Sequence, residues 1–564
     1  MDDTKNPRID NDFCAFLKPL EIPEDTLYSL SHRFSKTYQD LAANSLEQFF
    51  PIPITNLPTG KEVGRYLAAY VGLYYLRVSF IELLGDAAQE GNPNRPRVKR
   101  ILEKAWPIES RLKKNHAGEL FSWIGDCIAE IVTDRLEGES KEWDEPRELE
   151  MGISFCFPIK QDSLDEAVLV PTGKGFALNT HLDLRQALLD GYECHVRRSR
   201  SPSPGLAKRA KTHALPKLRI TAMVNDTVAT FASLAYSIRS LPNTRVVMGL
   251  LLGAGCNATV PMLIDDLHES KVRHIRLADP KAVETLVTTE WTLRAASEPL
   301  SNLNLITSWD SQLNASGDRP GFQPLEYMIA GRYLGELVRI IVHDYFHRIL
   351  AISKEDLPDK LMKPYALTTE FLSLVVAPSQ SGEELLADLE RELPSPPLSG
   401  WKWTPSLADI VRATTTKIQR RAASLIAAAS VGLLACTREI KLADLKEGKS
   451  VAETPVVCPS AVPTADPIAL PHRSPGSNSP PKVKGQNNPE ELVIAFSGGL
   501  IQHWPGFRES IQWHIDRLVL RGGPQELGKS IFLREVSDGG LVGVGVLAGT
   551  LQGSIEGIVG SVLD

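Results

Sequence analysis

At 564 residues the chain is long enough for two or more domains with large cores. Apolar content of 43% and charged content of 23% are ordinary for a soluble globular protein, and a formal charge of −7 gives no support to nucleic acid as a general partner. Seven cysteines, at 14, 127, 156, 194, 256, 436 and 458, have neither metal-ligand spacing nor disulfide density, which fits a reducing compartment and assigns no metal site.

The beginning, Met1-Asp-Asp-Thr-Lys-Asn6, is polar and acidic, unlike a secretory peptide. The apolar run Leu425–Ala435 falls short of the roughly 18 residues a membrane span needs. Residues 1–50 are expected to be helical and peripheral, with Phe13, Phe16, Leu27, Leu30 and Phe34 turned inward. After the turn Thr59-Gly60-Lys61, the runs Tyr66–Val71 and Leu76–Leu83 predict two strands opening a mixed sheet, the second bounded by Gly85. Leu120, Ile124, Ile128 and Val132 recur at four-residue spacing, and Trp123 and Ile131 widen that face, so Ala117–Leu136 reads as a helix. Phe155–Ile159 reads as a further strand candidate, ending at Pro158 and followed by the polar loop Lys160–Asp165, the short run Val168–Val170 and the turn Thr172–Gly175.

Two segments interrupt this order. Residues 197–211 hold six basic residues and no acid among Ser, Pro and Gly, the composition of an exposed loop. Glu447–Pro489 contains nine prolines and no Phe, Trp or Tyr, and is expected to be disordered. Beyond it, Glu491–Phe496 has a buried-strand pattern, and Val542–Val562 is a Gly/Val/Ala-rich helix candidate.

The chemistry concentrates in two places. Met223 and Val224 put Asp226 at the end of an apolar strand, where a carboxylate can act as general base. Asn225 stands beside it to orient a hydroxylated ligand, and Thr227 can cap the next turn or helix. Met248–Leu252 then leads into Gly253-Ala-Gly255-Cys-Asn257, a turn whose backbone N–H groups can face an anion. Either element alone is ordinary punctuation of a strand end. Their order, strand–Asp, helix, strand–Gly-x-Gly-x-Asn, carries more weight.

Over nearly its whole length the sequence resembles the hexokinase and glucokinase family. The resemblance rests on Leu57–Glu62, Phe155–Pro158, Gly173-Lys-Gly-Phe176, Val224–Val228, Gly249–Ala258, the long run Pro320–Arg339, Thr369–Ser373, Arg421–Ala423 and Ser537–Leu541. It implies an α/β fold of the duplicated actin-like ATPase (ribonuclease H-like) kind, with two domains flanking a cleft. It further implies transfer of the γ-phosphoryl group of Mg-ATP to a hexose 6-hydroxyl. On that basis residues 1–60 are a helical part on the large domain, 61–220 the small domain with the basic insertion 197–211, and 221–446 the large domain. Residues 447–490 are then a disordered insertion, and 491–564 complete the large domain and supply the C-terminal helix. The resemblance makes Asp226 the catalytic base and Lys174 its companion, with Asn225, Asn257, Gln323 and Glu326 on the sugar side. Gly72, Arg77, Gly253, Gly255 and Gly539 fall on the nucleotide side.

The departures cluster where phosphate should sit. The family pattern Asp-Leu-Gly-Gly-Thr-Asn-Phe-Arg is here Tyr70-Val-Gly72-Leu73-Tyr74-Tyr75-Leu-Arg77, which removes a carboxylate and one glycine and adds bulk. The family element Asn-Thr-Glu-Trp is matched to Ile306-Thr-Ser308-Trp309, putting Ser308 where a carboxylate is expected. Cys156 replaces a serine, Gly173 and Ala254 replace threonines, Ser497-Gly-Gly499 replaces Asp-Gly-Ser, and Leu541 replaces a glycine. With Tyr70, Leu73, Tyr74 and Leu541 in place, Mg-ATP binding is in doubt.

The sequence resembles the diverged fungal hexokinase-like proteins that regulate nutrient responses or extracellular protease production. The expected protein is thus a catalytically impaired carbon-response regulator or sugar sensor, binding a hexose or phosphosugar and regulatory protein partners. A weak hexose 6-phosphotransferase and a non-catalytic scaffold are the alternatives. The expected location is cytoplasmic, with 197–211 as ordinary surface or as a nuclear-targeting signal; no aromatic platform accompanies it, which disfavours direct nucleic-acid binding.

Overall fold

A computed structural model describes residues 11–86, 96–114, 117–138, 148–170, 182–200, 215–238, 241–317, 319–397, 399–443 and 490–560. The strands are β1 (Phe50–Ile52), β2 (Val63–Val71), β3 (Tyr75–Leu84), β4 (Val98–Pro107), β5 (Glu148–Phe155), β6 (Ile159–Lys160) and β7 (Val168–Leu169), followed by β8 (Lys217–Asn225), β9 (Thr244–Leu252), β10 (Cys256–Leu263), β11 (Glu284–Thr288), β12 (Glu491–Ser497) and β13 (Ser530–Glu535).

One plan is used twice. The first sheet runs β4-β3-β2-β5-β8; its β2–β4 form an antiparallel meander, and β5 and β8 add in parallel. The second runs β11-β10-β9-β12-β13 with the same pattern of directions, and β1 joins antiparallel outside β11. This repeat is the duplicated actin-like ATPase fold.

Between the sheets lie two helices, Asp226–Ile238 and Gly539–Gly560. Their contact is backbone on backbone: a Cβ on Gly543 would stand 1.7 Å from the Ala229 carbonyl oxygen, and one on Gly152 of β5 would stand 2.4 Å from that of Val544. Only glycine permits that approach. Val224, Phe231, Val246, Val493, Leu541 and Val544 close the shared core around them.

Several sequence expectations need correction. The amino-terminal helices Asn11–Leu17 and Glu24–Asn44 are part of the core rather than peripheral. Phe13, Leu27, Leu30 and Phe34 are buried and Phe16 is partly so. Gly432 explains the close seat of Glu24–Asn44, since a Cβ there would meet Phe34 Cβ at 2.7 Å. The run Leu425–Ala435 is the buried end of the helix Pro405–Cys436, and among the described residues no helix is long and apolar enough to cross a membrane. Phe155–Ile159 is not one strand; β5 ends at Phe155 and β6 begins at Ile159, with the chain turning at Cys156–Pro158. The helix Leu184–Arg200 runs into the basic segment, so 197–200 are helical rather than loop, while 201–211 lie outside the described residues. The proline-rich segment also lies outside them, except Glu490, which pairs with Arg245 at 2.5 Å. The strand β8 crosses the expected domain boundary at 220/221, and the C-terminal helix packs on β2, β5 and β8 of the first sheet.

Candidate active site

Asp226 is the first residue of the helix that follows β8 and is buried. Asn225 holds it there. Its Oδ1 accepts from the Thr227 backbone N–H (3.1 Å) and hydroxyl (2.6 Å), and its Nδ2 donates to the Phe157 carbonyl at 3.2 Å. The cap expected of Thr227 is therefore made by Asn225, whose amide is committed to the backbone instead of to a ligand. Thr227 in turn shares a 2.6 Å hydroxyl contact with Thr259 of β10, tying the two sheets together beside Asp226.

Tyr70 is the last residue but one of β2, and its buried phenol stands close enough to the Asp226 carboxylate to feel its charge. Burial, then the Asp226 charge, pushes the Tyr70 phenol well above its usual pKa, so it stays neutral and acts as a donor. The ring is wedged against backbone: a Cβ on Gly540 would stand 3.0 Å from its Cδ2, and one on Gly72 would stand 3.1 Å from its Cε1. Ser154 Oγ donates to the Gly540 carbonyl at 2.8 Å and fixes that wall.

Asn257, on β10, anchors the sugar-side cluster. Its Nδ2 donates to Glu290 Oε1 at 2.6 Å, and its Oδ1 accepts from the Ala258 and Glu290 N–H groups at 2.8 and 3.1 Å. Glu326 is buried and accepts from the Cys256 N–H at 3.1 Å, with Gln323 Nε2 at 3.4 Å. Glu290 adopts a left-handed φ of 50°, a strained state for a residue with a side chain, and Gln48 Nε2 holds its carbonyl at 2.8 Å. Two buried carboxylates, Glu290 and Glu326, thus flank the glycine turn.

Glu290 is the residue that sequence matching missed, and Ser308 is not its replacement. Ser308 is exposed at the start of the helix Ser308–Ser316. Around it Thr307 and Asp310 form a reciprocal cap, Asp310 pairs with buried Arg421 at 2.7 Å, and Trp309 Nε1 donates to Asp344 at 2.8 Å. The segment 306–310 spends its polar groups on helix capping. The signal was in the sequence: Thr288-Thr-Glu290-Trp291 matches the family pattern Asn-Thr-Glu-Trp at three positions, against two for Ile306–Trp309.

A cavity of about 740 Å³ runs along the glycine turn, lined by Tyr70, Leu73, Tyr74, Cys156, Gly253–Gly255 and Arg332, among others. The turn is braced by Gly331 and Arg332, whose N–H groups donate to the carbonyls of Gly253 (2.8 Å) and Ala254 (3.1 Å). Lys113 stands 5.1 Å from the centroid of the Tyr74 ring; burial lowers its pKa, Cys156 opposing this and Arg332 adding to it. A larger recess of about 940 Å³ opens beyond the Glu290 segment and is lined by none of the residues singled out from the sequence as site residues.

Three nucleotide-side expectations change. Arg77 does not line the cavity; it is paired with Asp538 and Glu103, bracing the start of the C-terminal helix against β3 and β4. Gly539 packs on Thr230, where a Cβ would meet Oγ1 at 2.7 Å, and Leu541 is fully buried in the inter-sheet core. Gly72 spends its N–H on the Tyr75 carbonyl at 2.9 Å, while Gly253 and Gly255 do line the cavity. Tyr74 lines its rim but Tyr75 does not, and both are largely exposed. Lys174 lies outside the described residues.

Two family models described as hexokinase match residues 13–236 and 247–550. Hexokinase-1 of Schizosaccharomyces pombe is 28% identical over 421 residues, 74% of each chain, and hexokinase-1 of Spinacia oleracea is 25% identical over 89% of this chain and 82% of its own. In fold, the chain is similar to a Schistosoma mansoni hexokinase solved with glucose, at a TM-score of 0.68 and 22% identity, covering 96% of this chain and 98% of that one. With matching models over most of its length and the duplicated fold beneath them, the chain belongs to the hexokinase family.

Proposed function

We propose that the chain binds a hexose in its cleft and serves as a sugar-responsive regulator, transferring phosphate from Mg-ATP poorly or not at all. The observation that carries this reading is the buried Tyr70 phenol, packed beside Asp226 in a wall closed by Gly72 and Gly540. A general base must present a lone pair to the sugar hydroxyl, and a neutral phenol held beside the carboxylate competes for that place. Tyr70 also stands where the family pattern has a carboxylate. Mg²⁺ binds through hard oxygen ligands in near-octahedral geometry, often one or two carboxylates with substrate phosphates, and a neutral phenol in a packed wall does not fit that role.

The sugar side supports the binding half of the reading. Asn257, Glu290, Gln323 and Glu326 are clustered and buried, and the glucose in the Schistosoma mansoni structure makes a hexose the natural ligand class. A sensor needs only a ligand that favours one arrangement of the two domains, and has no need to transfer phosphate. Regulatory protein partners, and a cytoplasmic location with a nuclear fraction directed by 197–211, belong to the same proposal.

A coupled assay with millimolar glucose, ATP and Mg²⁺, run beside calorimetric titration with glucose, tests both halves. The expected result is glucose binding that weakens on Glu326→Ala, with turnover far below the ~1–10³ s⁻¹ usual for enzymes. Turnover inside that range, abolished by Asp226→Ala, overturns the proposal in favour of a working hexose 6-phosphotransferase.

A further inference from the structure

Glu290 holds a left-handed φ of 50°, and so does Phe49, at 53°, on the segment that lies beside it. The strand β1 pairs with β11 in a register that sets Phe50 opposite Thr288, and the two segments stay side by side past that last rung. The Phe49 N–H donates to the Thr289 carbonyl at 3.2 Å. One step further, where the ladder would set Gln48 opposite Glu290, a side chain supplies the donor: Gln48 Nε2 reaches the Glu290 carbonyl at 2.8 Å. Gln48 is only 3% exposed. Its own backbone is fixed from two sides. Lys271, on the helix Glu269–Ala278, donates to the carbonyls of Gln48 and Phe49, both at 3.1 Å. Lys160 comes from β6, whose Ile159 belongs to the core of the first sheet; it donates to the Leu46 carbonyl at 3.0 Å and stands 4.8 Å from the centroid of the Phe50 ring.

We infer that Gln48 is a positioning residue for hexose binding: by fixing the Glu290 carbonyl it holds the Glu290 carboxylate where a sugar hydroxyl can meet it. A left-handed residue with a side chain persists only where its surroundings over-determine it. At Glu290 two amides do so. Asn257 accepts from the Glu290 N–H at 3.1 Å and donates to its carboxylate at 2.6 Å, and Gln48 takes the carbonyl. Without Gln48 the carbonyl loses this donor, and the peptide can relax toward an unstrained conformation and carry the carboxylate with it. Gln48 has this role only if the cleft takes a hexose, the reading on which the inference rests, and it acts through Glu290 rather than on the sugar itself.

The full-length protein is titrated by calorimetry with glucose and its monodeoxy analogues, unmodified and as Glu290→Gln, Gln48→Met and Gln48→Glu. The hydroxyl read by Glu290 is the one whose removal weakens binding to the unmodified protein and does so much less in Glu290→Gln. Gln48→Met keeps the length of the side chain and loses the donor. It is expected to raise the glucose Kd roughly three- to tenfold, the scale of one hydrogen bond, and to lose discrimination at that same hydroxyl alone. Added to Glu290→Gln, it should weaken binding little further, because the two residues then act as one unit. Gln48→Glu, close to the same shape with an acceptor in place of the donor, is expected to lose at least as much, and it carries the test if the thermal melt shows that Gln48→Met does not fold. A merely structural role would raise the Kd of every analogue in the same proportion. That result overturns the inference, as does a glucose Kd unmoved by either Gln48 variant. Absence of glucose binding by the unmodified protein would overturn the hexose reading and this inference together, whereas intact binding with unmoved Gln48 variants removes the role of Gln48 alone.

Discussion

The Tyr70 phenol and the Asp226 carboxylate approach each other across β5: Tyr70 is the last residue but one of β2, Asp226 follows β8, and β5 lies between those strands in the same sheet. Register brings them together. Tyr70 is opposite Ser154 on β5, and Val71 and Asn225 are both opposite Phe155, so β2 and β8 end level at the same edge and Asp226 follows directly. The Tyr70 phenol therefore feels the Asp226 charge directly.

If that contact limits phosphoryl transfer, restoring the family pattern should relieve it. Tyr70→Asp combined with Leu73→Gly is expected to raise ATP-dependent glucose phosphorylation at least tenfold over the unmodified chain. One preorganised contact to the transferring group is worth ~10²–10³ in rate. Tyr70→Phe, which removes the phenol hydroxyl without supplying a carboxylate, should recover only part of that gain. Equal rates for all three proteins in a coupled assay would mean that Tyr70 does not control the site.

Glu290 and Ser308 give opposite expectations for sugar binding. Glu290→Gln removes the charge facing Asn257 and should weaken glucose binding roughly tenfold or more, since hydrogen bonds to a charged group are worth about 1.5–3 kcal/mol. Ser308→Ala should leave affinity unchanged, because that side chain is exposed at a helix start. Titration calorimetry reads both. A loss confined to Ser308→Ala would restore the sequence match at 306–309 over the geometry at 288–291.

The fold was legible because long apolar runs and ordered motifs agree: β2, β3, β9, β12 and the helix Ala117–Glu137 all appear where the patterns put them. Asp226 and the glycine turn were legible for the same reason, each standing at the end of an apolar strand. What the sequence hid was the use of polar groups. Nothing local in Asn225-Asp-Thr227 says that the asparagine amide is spent on a cap, and nothing in Arg77 reveals a partner as distant in sequence as Asp538. The misplaced carboxylate is a different failure: two Thr-x-Trp segments compete, only 288–291 keeps the glutamate, and burial of Glu290 against exposure of Ser308 agrees with that fuller match. Pro158 marks the break at Cys156–Pro158, since proline cannot donate to a ladder; what the apolar run hides is that the strand already stops at Phe155.

The basic segment supplies a prediction about place. Arg197 and Arg198 continue the helix Leu184–Arg200, and Lys208, Arg209 and Lys211 come after it in sequence. Neutralising all five is expected to lower the nuclear signal of a fluorescent fusion while leaving the thermal melt unchanged, because clustered Lys and Arg are what a transport receptor reads. Identical distributions of the two proteins would return the segment to ordinary surface.

Acid should destabilise the protein through His514. This residue lies on the helix Phe507–Arg521, and burial pushes its pKa down to about 4, with the Glu24 charge opposing and Arg517 adding to the shift. The unfolded chain takes up the proton near the usual value of about 6.5, so between there and about 4 the unfolded state binds more protons than the folded one. Stability linked to this group is therefore complete above pH 6.5 and is lost progressively as pH falls toward 4. Replacing His514 by the similarly sized, non-titrating Asn or Gln should flatten the fall in melting temperature between pH 7 and pH 5, although it also changes packing beside Trp513. The test is the difference in slope rather than the absolute melting temperature: parallel curves for the His514→Gln protein and its parent across that window would remove His514 as the acid-sensitive group.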